Sequence, residues 1–427
     1  MPASYRELLR GNRNFRLLWM AQVVSETGDW LYTVAVYTLL LEFTGSAKSV
    51  GFAFILQVLP QFFIAPVSGI LNDRISRKKI MIFADCMRVG IVLCMMLARS
   101  PQSVWLLYLL LFLETLLWGL FEPARNSVIP NLVKSGDVVR ANTFAAITWS
   151  FNFAAGAALG GLIAALLGRD SVFLLDAFSF VVSGLLLSRM HFPEPHVDNL
   201  PPVRARDLWS FKPIVEGVRY VRRDPRLTVT LFAKCGLGLL GANWVIIPVF
   251  GERIFPVALA GFDSQQAAML GMSALMTSRG IGAIAGPLIG ARWTGESSRR
   301  LRLAIGCGFA AACLGYICLG LAPSLAWAAL ALVLAHGGLS MVWVFSTTML
   351  QLQTDDRFRG RVFSAEFGFA VLTMSLSSYA AGEMVDRHVP LRTVAILAGC
   401  AMLAPLMAWT WAQRFWRLNP GQKAYNQ

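Results

Sequence analysis

Apolar residues fall along this chain in twelve long blocks, separated by short polar segments in which Lys and Arg recur. A helix of about 20 residues crosses a hydrocarbon core of about 30 Å, and each block reaches that length. The pattern predicts an all-α membrane protein with spans at roughly 15–42, 49–71, 80–98, 104–122, 141–167, 171–190, 227–250, 266–291, 302–321, 325–352, 362–385 and 391–414. The long polar stretch 191–226 holds Pro193, Pro195, Pro201 and Pro202, then a basic part, Asp207 to Arg223, that reads as helix. It divides the chain into a six-helix bundle over 1–190, a linker over 191–226, and a second six-helix bundle with a short tail over 227–427. Two such sets are expected of repeats related by an axis along the membrane normal.

Composition agrees with a membrane class: 56% of residues are hydrophobic, 15% are charged, and the mean hydropathy is +0.57. That is too little charge to cover a soluble surface. A net charge of +14 would suggest nucleic acid in a soluble chain, but here the cations lie between apolar blocks, where anionic lipid is the natural partner. Of the 38 Lys and Arg, 29 fall on one side of the twelve-span topology and 6 on the other, with Arg88, Lys234 and Arg279 inside spans. The positive-inside rule then places both termini in the cytoplasm of a multi-pass inner-membrane protein. No short apolar core with a small-residue cleavage site opens the chain, so the first span is expected to be retained. The arm before it, Ser4 to Asn14, is expected to lie in the lipid interface on Arg6, Arg10 and Arg13.

Ionisable residues inside spans are the candidate chemistry, because their desolvation is costly unless they serve a cavity or a partner. Glu26 and Asp29 share one face of the first span, and Glu114 stands midway along the fourth with no charged residue within a turn. These acids are expected to carry protons or meet substrate. Asp85 and Arg88, three apart in the third span, are expected to form a structural ion pair. Arg279, near the middle of the eighth span, needs a carboxylate or an anionic substrate group, and Glu26 or Glu114 are the candidates. Lys234 is expected to snorkel to the surface, Glu366 to pair with Arg74 or another loop cation, and Asp386 to sit in the outer interface beside Arg387. His336 reads as a packed residue rather than a relay. Trp30, Tyr32, Trp118, Trp149, Phe151, Phe153 and Trp244 are candidate apolar walls. The seven cysteines fall in spans without metal-type spacing, and no phosphate loop, dinucleotide fingerprint or nucleophile elbow is present. No cofactor, metal or enzyme activity is expected, and transport would draw on an ion gradient or the substrate's own.

The second and third spans are joined by Gly69-Ile70-Leu71-Asn72-Asp73-Arg74-Ile75-Ser76-Arg77-Lys78-Lys79, which resembles the signature loop of the major facilitator superfamily. Asp73 can face the positive N-terminal end of the eleventh helix, while Arg74, Arg77, Lys78 and Lys79 hold lipid or carboxylates, so with Gly69 the loop is expected to act as a gating latch. Gly28-Asp29-Trp30, Phe121-Glu122-Pro123-Ala124-Arg125, Ile129-Pro130-Asn131 and Arg140-Ala141-Asn142 resemble the drug:proton antiporter subgroup that includes macrolide and siderophore exporters. The small residues Gly156 to Gly161 are similar to that family's fifth-helix motif, with Ala157 in place of its Pro. The resemblance implies a major facilitator fold that exports an amphipathic or drug-like compound by proton antiport, as a monomer in lipid and without nucleic acid. Siderophore export, lysophospholipid transport, or a non-transporting receptor or scaffold are the other readings.

Overall fold

The computed structural model describes residues 5–44, 47–197, 212–257, 264–295, 297–414 and 416. Pro201, Pro202, Arg204, Arg206, Asp207, Arg417 and Lys423 lie outside the described residues. In chain order the helices are α1 (Tyr5–Gly11), α2 (Arg13–Thr44), α3 (Ala47–Val58), α4 (Pro60–Arg74), α5 (Arg77–Met95), α6 (Val104–Leu132), α7 (Val138–Leu167) and α8 (Arg169–Ser188). They continue with α9 (Lys212–Arg223), α10 (Pro225–Gly238), α11 (Asn243–Arg253), α12 (Ser264–Thr294), α13 (Ser298–Leu321), α14 (Leu325–Gln353), α15 (Arg359–Asp386), α16 (Leu391–Ala401) and α17 (Leu403–Ala412).

The twelve expected spans correspond to these helices, three of them broken in two. The second breaks before Pro60, which cannot donate a hydrogen bond to the preceding turn, and the seventh at a short 3-10 stretch, Leu239–Ala242. The twelfth breaks at Met402. Among the described residues, seven stretches are individually long and apolar enough to cross a membrane, Pro101–Leu132, Arg169–Ser188 and Leu325–Gln353 among them. Helix α5 is not one of them, since Arg77, Lys78, Lys79, Asp85 and Arg88 all lie in its 19 residues.

The chain divides into two units: Met1–Gly217 with Thr354–Gly368, and Val218–Gln353 with Phe369–Gln427. The boundary falls within the linker helix α9, and the start of α15 belongs to the first unit. In the first unit α2 packs against α7 and α8, and α5 against α6 and α8. Tyr32, Val36 and Leu39 from α2 meet Val92 and Met95 from α5, Leu107 and Leu111 from α6, and Phe173 and Phe180 from α8 in one apolar core. Just after α1 the chain is tied to this unit: Asn12 Nδ2 donates to the Leu132 carbonyl and Asn14 Nδ2, at the start of α2, to that of His191, each at 2.6 Å. In the second unit α14 packs against α12 and α13, burying Tyr316, Phe309 and Phe345.

Helix α7 approaches α2 closely because it presents glycine. A Cβ on Gly160 would stand 2.7 Å from the Leu31 carbonyl oxygen and 2.9 Å from its Cα, whereas one on Gly90 would meet nothing within 4 Å. Gly160→Leu should therefore cost about 2 kcal/mol or more through overpacking and lower the apparent melting temperature in detergent, while Gly90→Leu leaves it unchanged. Equal melting temperatures for the two variants would contradict this packing.

Candidate functional site

Four helices of the first unit bring ionisable side chains into its apolar interior. Arg88 lies at the centre, 1% exposed, with its guanidinium 4.3 Å from the centroid of the Phe180 ring. Its Nε donates to Glu114 Oε1 at 2.8 Å, and its Nη2 donates to the same oxygen and to Asp29 Oδ1 at 3.0 Å. Tyr32 donates its hydroxyl to Glu114 Oε2 at 3.2 Å. Arg88 thus joins α2, α5 and α6 through one planar, permanently charged group.

The expected Asp85–Arg88 ion pair is present at 4.0 Å, and Asp85 Oδ2 also accepts from Ser183 Oγ on α8 at 2.6 Å. The shorter bonds of Arg88 reach across to α6 and α2. Glu114, with no charged residue within a turn of its own helix, finds its partners on other helices. Sequence reading also missed Asp176 of α8, fully buried in the same cluster and signalled only by its being an acid within an apolar block.

Glu26 forms a separate group. It accepts from Gln22 Nε2 at 2.9 Å and from Asn152 Nδ2 of α7 at 3.2 Å. Trp30, Trp149 and Phe153 form a partly buried aromatic trio beside it in sequence, with ring centroids 4.6 to 5.9 Å apart. Phe151 points away from the protein interior at 65% exposure, and Trp118 packs on Phe367 at 5.1 Å.

At one end of the first unit, the loop after α4 meets the start of α15. Asp73 accepts from the backbone N–H of Gly360 at 2.6 Å, from that of Arg361 at 3.3 Å, and from Arg361 Nε at 2.6 Å. A carboxylate at the first turn satisfies helix-end donors and meets the positive end of the dipole. Two glycines permit the approach. A Cβ on Gly69 would stand 2.9 Å from Arg361 Cα, and one on Gly360 would stand 2.6 Å from Asp73 Oδ1. Arg77, with no exposed surface, donates through Nη1 to Asp356 Oδ1 and through Nη2 to the Asp356 carbonyl, each at 2.8 Å. Lys78 Nζ donates to the carbonyls of Ser188 and Met190 at 2.7 Å, closing the end of α8. Arg74 is partly buried at the end of α4.

Glu194, His196 and Asp356, none of them anticipated, complete this knot. Glu194 accepts from the Ser76 hydroxyl and from the Arg77 N–H at the start of α5. His196 Nδ1 stands 3.4 Å from Asp356 Oδ2, and Arg359 Nη1 reaches Asp356 Oδ1 at 2.9 Å. Burial disfavours the charge on Asp356, but the nearby His196 ring and the Arg77 and Arg359 guanidinium groups outweigh it and hold the carboxyl well below the ordinary carboxylate range.

In the second unit, Arg279 lies over the Trp244 ring at 4.5 Å from its centroid, near the buried pair Tyr316 and His336, whose hydroxyl and Nε2 are 3.1 Å apart. Glu26 and Glu114, the carboxylates expected for Arg279, are engaged inside the first unit instead. Lys234 does not snorkel. It is 1% exposed, with Nζ 4.2 Å from the centroid of the Trp343 ring, a cation–π contact that accepts an amine in an apolar setting. Glu366 is buried in the first-unit part of α15, and Arg387 bonds Glu383 at 2.7 Å rather than Asp386. Among the described residues, no three of His, Cys, Asp and Glu are placed to hold a metal ion.

Two units of long apolar helices, one with a charged interior, are the architecture of a multi-pass membrane transport protein. Residues 18–369 match the model of the Major Facilitator Superfamily, and the chain belongs to that superfamily. The MFS-type transporter YfiS of Bacillus subtilis is 29% identical over 264 residues, a match covering 60% of this chain and 61% of that protein, less than two thirds of its length. Macrolide efflux protein A of Streptococcus pyogenes is 24% identical over 379 residues, covering 87% of this chain and 89% of its own. Among solved structures, the E. coli fucose:proton symporter FucP shares the fold with a TM-score of 0.72 at 16% identity, covering 93% of this chain and 98% of that one.

The loop knot generates a pH prediction. Asp356 has a folded-state value below the ordinary one of about 3.9, so its contribution is complete at neutral pH and is lost as the pH falls from there toward the folded-state value. Asp356→Asn should destabilise the protein by about 1–3 kcal/mol at pH 7. The difference from wild type should shrink in melts below about pH 4. A difference independent of pH would contradict the assignment of Asp356 as the charged member of the knot.

Proposed function

We propose that this chain exports amphipathic, drug-like organic compounds across the inner membrane in exchange for protons, by alternating access with both termini in the cytoplasm. The observation that carries the reading is the buried network in which Arg88 holds Asp29 and Glu114 together inside the first unit. A transporter that responds to protons needs acids whose protonation alters the balance between conformations. A proton arriving on Glu114 or Asp29 would weaken its bond to Arg88, and the guanidinium, which keeps its charge, would have to find another partner. Glu26, Asp29 and Glu114 are therefore proposed as coupling or substrate-facing acids. Arg279, lying on Trp244, is proposed as a substrate contact of the second unit.

The export direction and the compound class are supported by the likeness to macrolide efflux protein A over most of both chains. The aromatic trio of Trp30, Trp149 and Phe153 supplies flat apolar surface suited to such a compound. Asp73 at the start of α15, backed by Arg77 on Asp356, is proposed as a latch that favours one conformation over the other.

The test is substrate-linked proton movement in proteoliposomes under an imposed pH gradient, with a macrolide and a set of lipophilic cations as probes. Wild type should move protons on substrate addition, Glu114→Gln should lower the coupled flux about tenfold or more while still binding the probe, and Asp73→Asn should slow turnover with binding intact. Proton movement that no probe elicits, or that Glu26→Gln, Asp29→Asn and Glu114→Gln all leave unchanged, would overturn the reading.

A further inference from the structure

Four carboxyls, Asp29, Asp85, Glu114 and Asp176, share the interior of the first unit with one guanidinium. Arg88 spends its hydrogen bonds on Glu114 and Asp29, and Asp85 takes a 2.6 Å bond from Ser183. Asp176 has the weakest support of the four as an ion. It is 0% exposed, its Oδ1 receives only a 3.4 Å contact from Ser179 on its own helix, and its Oδ2 has no hydrogen-bond partner. Among the described residues it takes part in no ion pair. The backbone of α2 closes over it: a Cβ on Gly28 would stand 2.2 Å from Asp176 Oδ1 and 2.3 Å from Ser179 Oγ, which leaves no room there for a side chain.

The groups around Asp176 decide its charge. From α2 come Asp29 and Tyr32, from α5 Asp85 and Arg88, from α6 Glu114, while α7, whose one ionisable side chain is Arg140 near its start, brings none. Ser179, Ser183 and Phe180 lie on α8 itself. An ionised carboxyl here would share one cation with Asp29 and Glu114, without a solvating donor on one of its oxygens. Removing an uncompensated charge from water costs far more than binding a proton. The same acids are not arranged to hold a metal ion.

We infer that Asp176 is a proton-binding site of the first unit, occupied while Arg88 is engaged by Glu114 and Asp29 and emptied when Arg88 is released to it. The inference deepens the proposed proton exchange, on which its transport consequence rests, but the proton itself is observable without transport.

The experiment is infrared spectroscopy of purified protein in lipid, reading the deuterium-sensitive carbonyl stretch of protonated carboxyl groups at neutral pH. Asp176→Asn should remove one such band, and Ser179→Ala should shift it without removing it. Asp170→Asn, an exposed acid paired with Arg99 at 2.8 Å, should leave it unaltered. Loss of an ionised-carboxylate band in Asp176→Asn, or no change in either Asp176→Asn or Ser179→Ala, overturns the inference. If Asp176→Asn yields no folded protein, the Ser179→Ala shift or its absence decides alone. In proteoliposomes Asp176→Asn should lose coupled proton flux yet keep substrate counterflow. Wild type without proton flux for every probe would instead defeat the transport reading, leaving the spectroscopic result to judge Asp176.

Discussion

A permanent positive charge placed in an apolar bundle is the constraint from which the interior of the first unit follows. Arg88 does not shed its proton, so its burial is tolerable only with carboxylates at hydrogen-bond distance, and the packing must bring them from other helices. Glu114 and Asp29 meet that need, Tyr32 fixes the far oxygen of Glu114, and Phe180 covers the guanidinium face. The same demand draws in more acid than one cation can balance. In the proposed proton exchange, a change in which of these acids is charged changes where Arg88 is best held.

At the loop end each acid has its own donors: Asp73 accepts from Arg361 and from helix-end N–H groups, and Asp356 from Arg77 and Arg359. Glycine at 69 and 360 allows the backbones to come close enough for these bonds to form. The knot fastens the start of α15 to the first unit although the rest of that helix belongs to the second.

Much of the fold was legible in the sequence, because block length and loop charge are set by the bilayer rather than by tertiary detail. The twelve spans follow from that, and Gly69 to Lys79 carry the resemblance to the family in the sequence itself. The pairings were less legible. Asp85 and Arg88 share a helical face and pair at 4.0 Å, but partners in a bundle also depend on how neighbouring helices cross, so Glu114, 26 residues away, takes a shorter bond. Lys234 was misjudged because its Trp343 partner is distant in sequence. Asp176 was passed over although the reasoning applied to Glu114 covers it equally. Glu194, His196 and Asp356 carried no signal, being ordinary polar residues of loops until the fold brings them beneath Arg77.

The central claim is that Arg88 and Glu114 are bound to each other's presence inside the first unit. It is tested most directly by a double-mutant cycle on thermal stability in detergent, comparing wild type, Arg88→Gln, Glu114→Gln and the double variant. Removing the cation alone leaves acids uncompensated and should be the most damaging change, of about 3–5 kcal/mol, and adding Glu114→Gln to it should restore part of the lost stability. If the double variant is instead less stable than Arg88→Gln, with the two losses simply adding, the two residues do not depend on one another and the account is wrong.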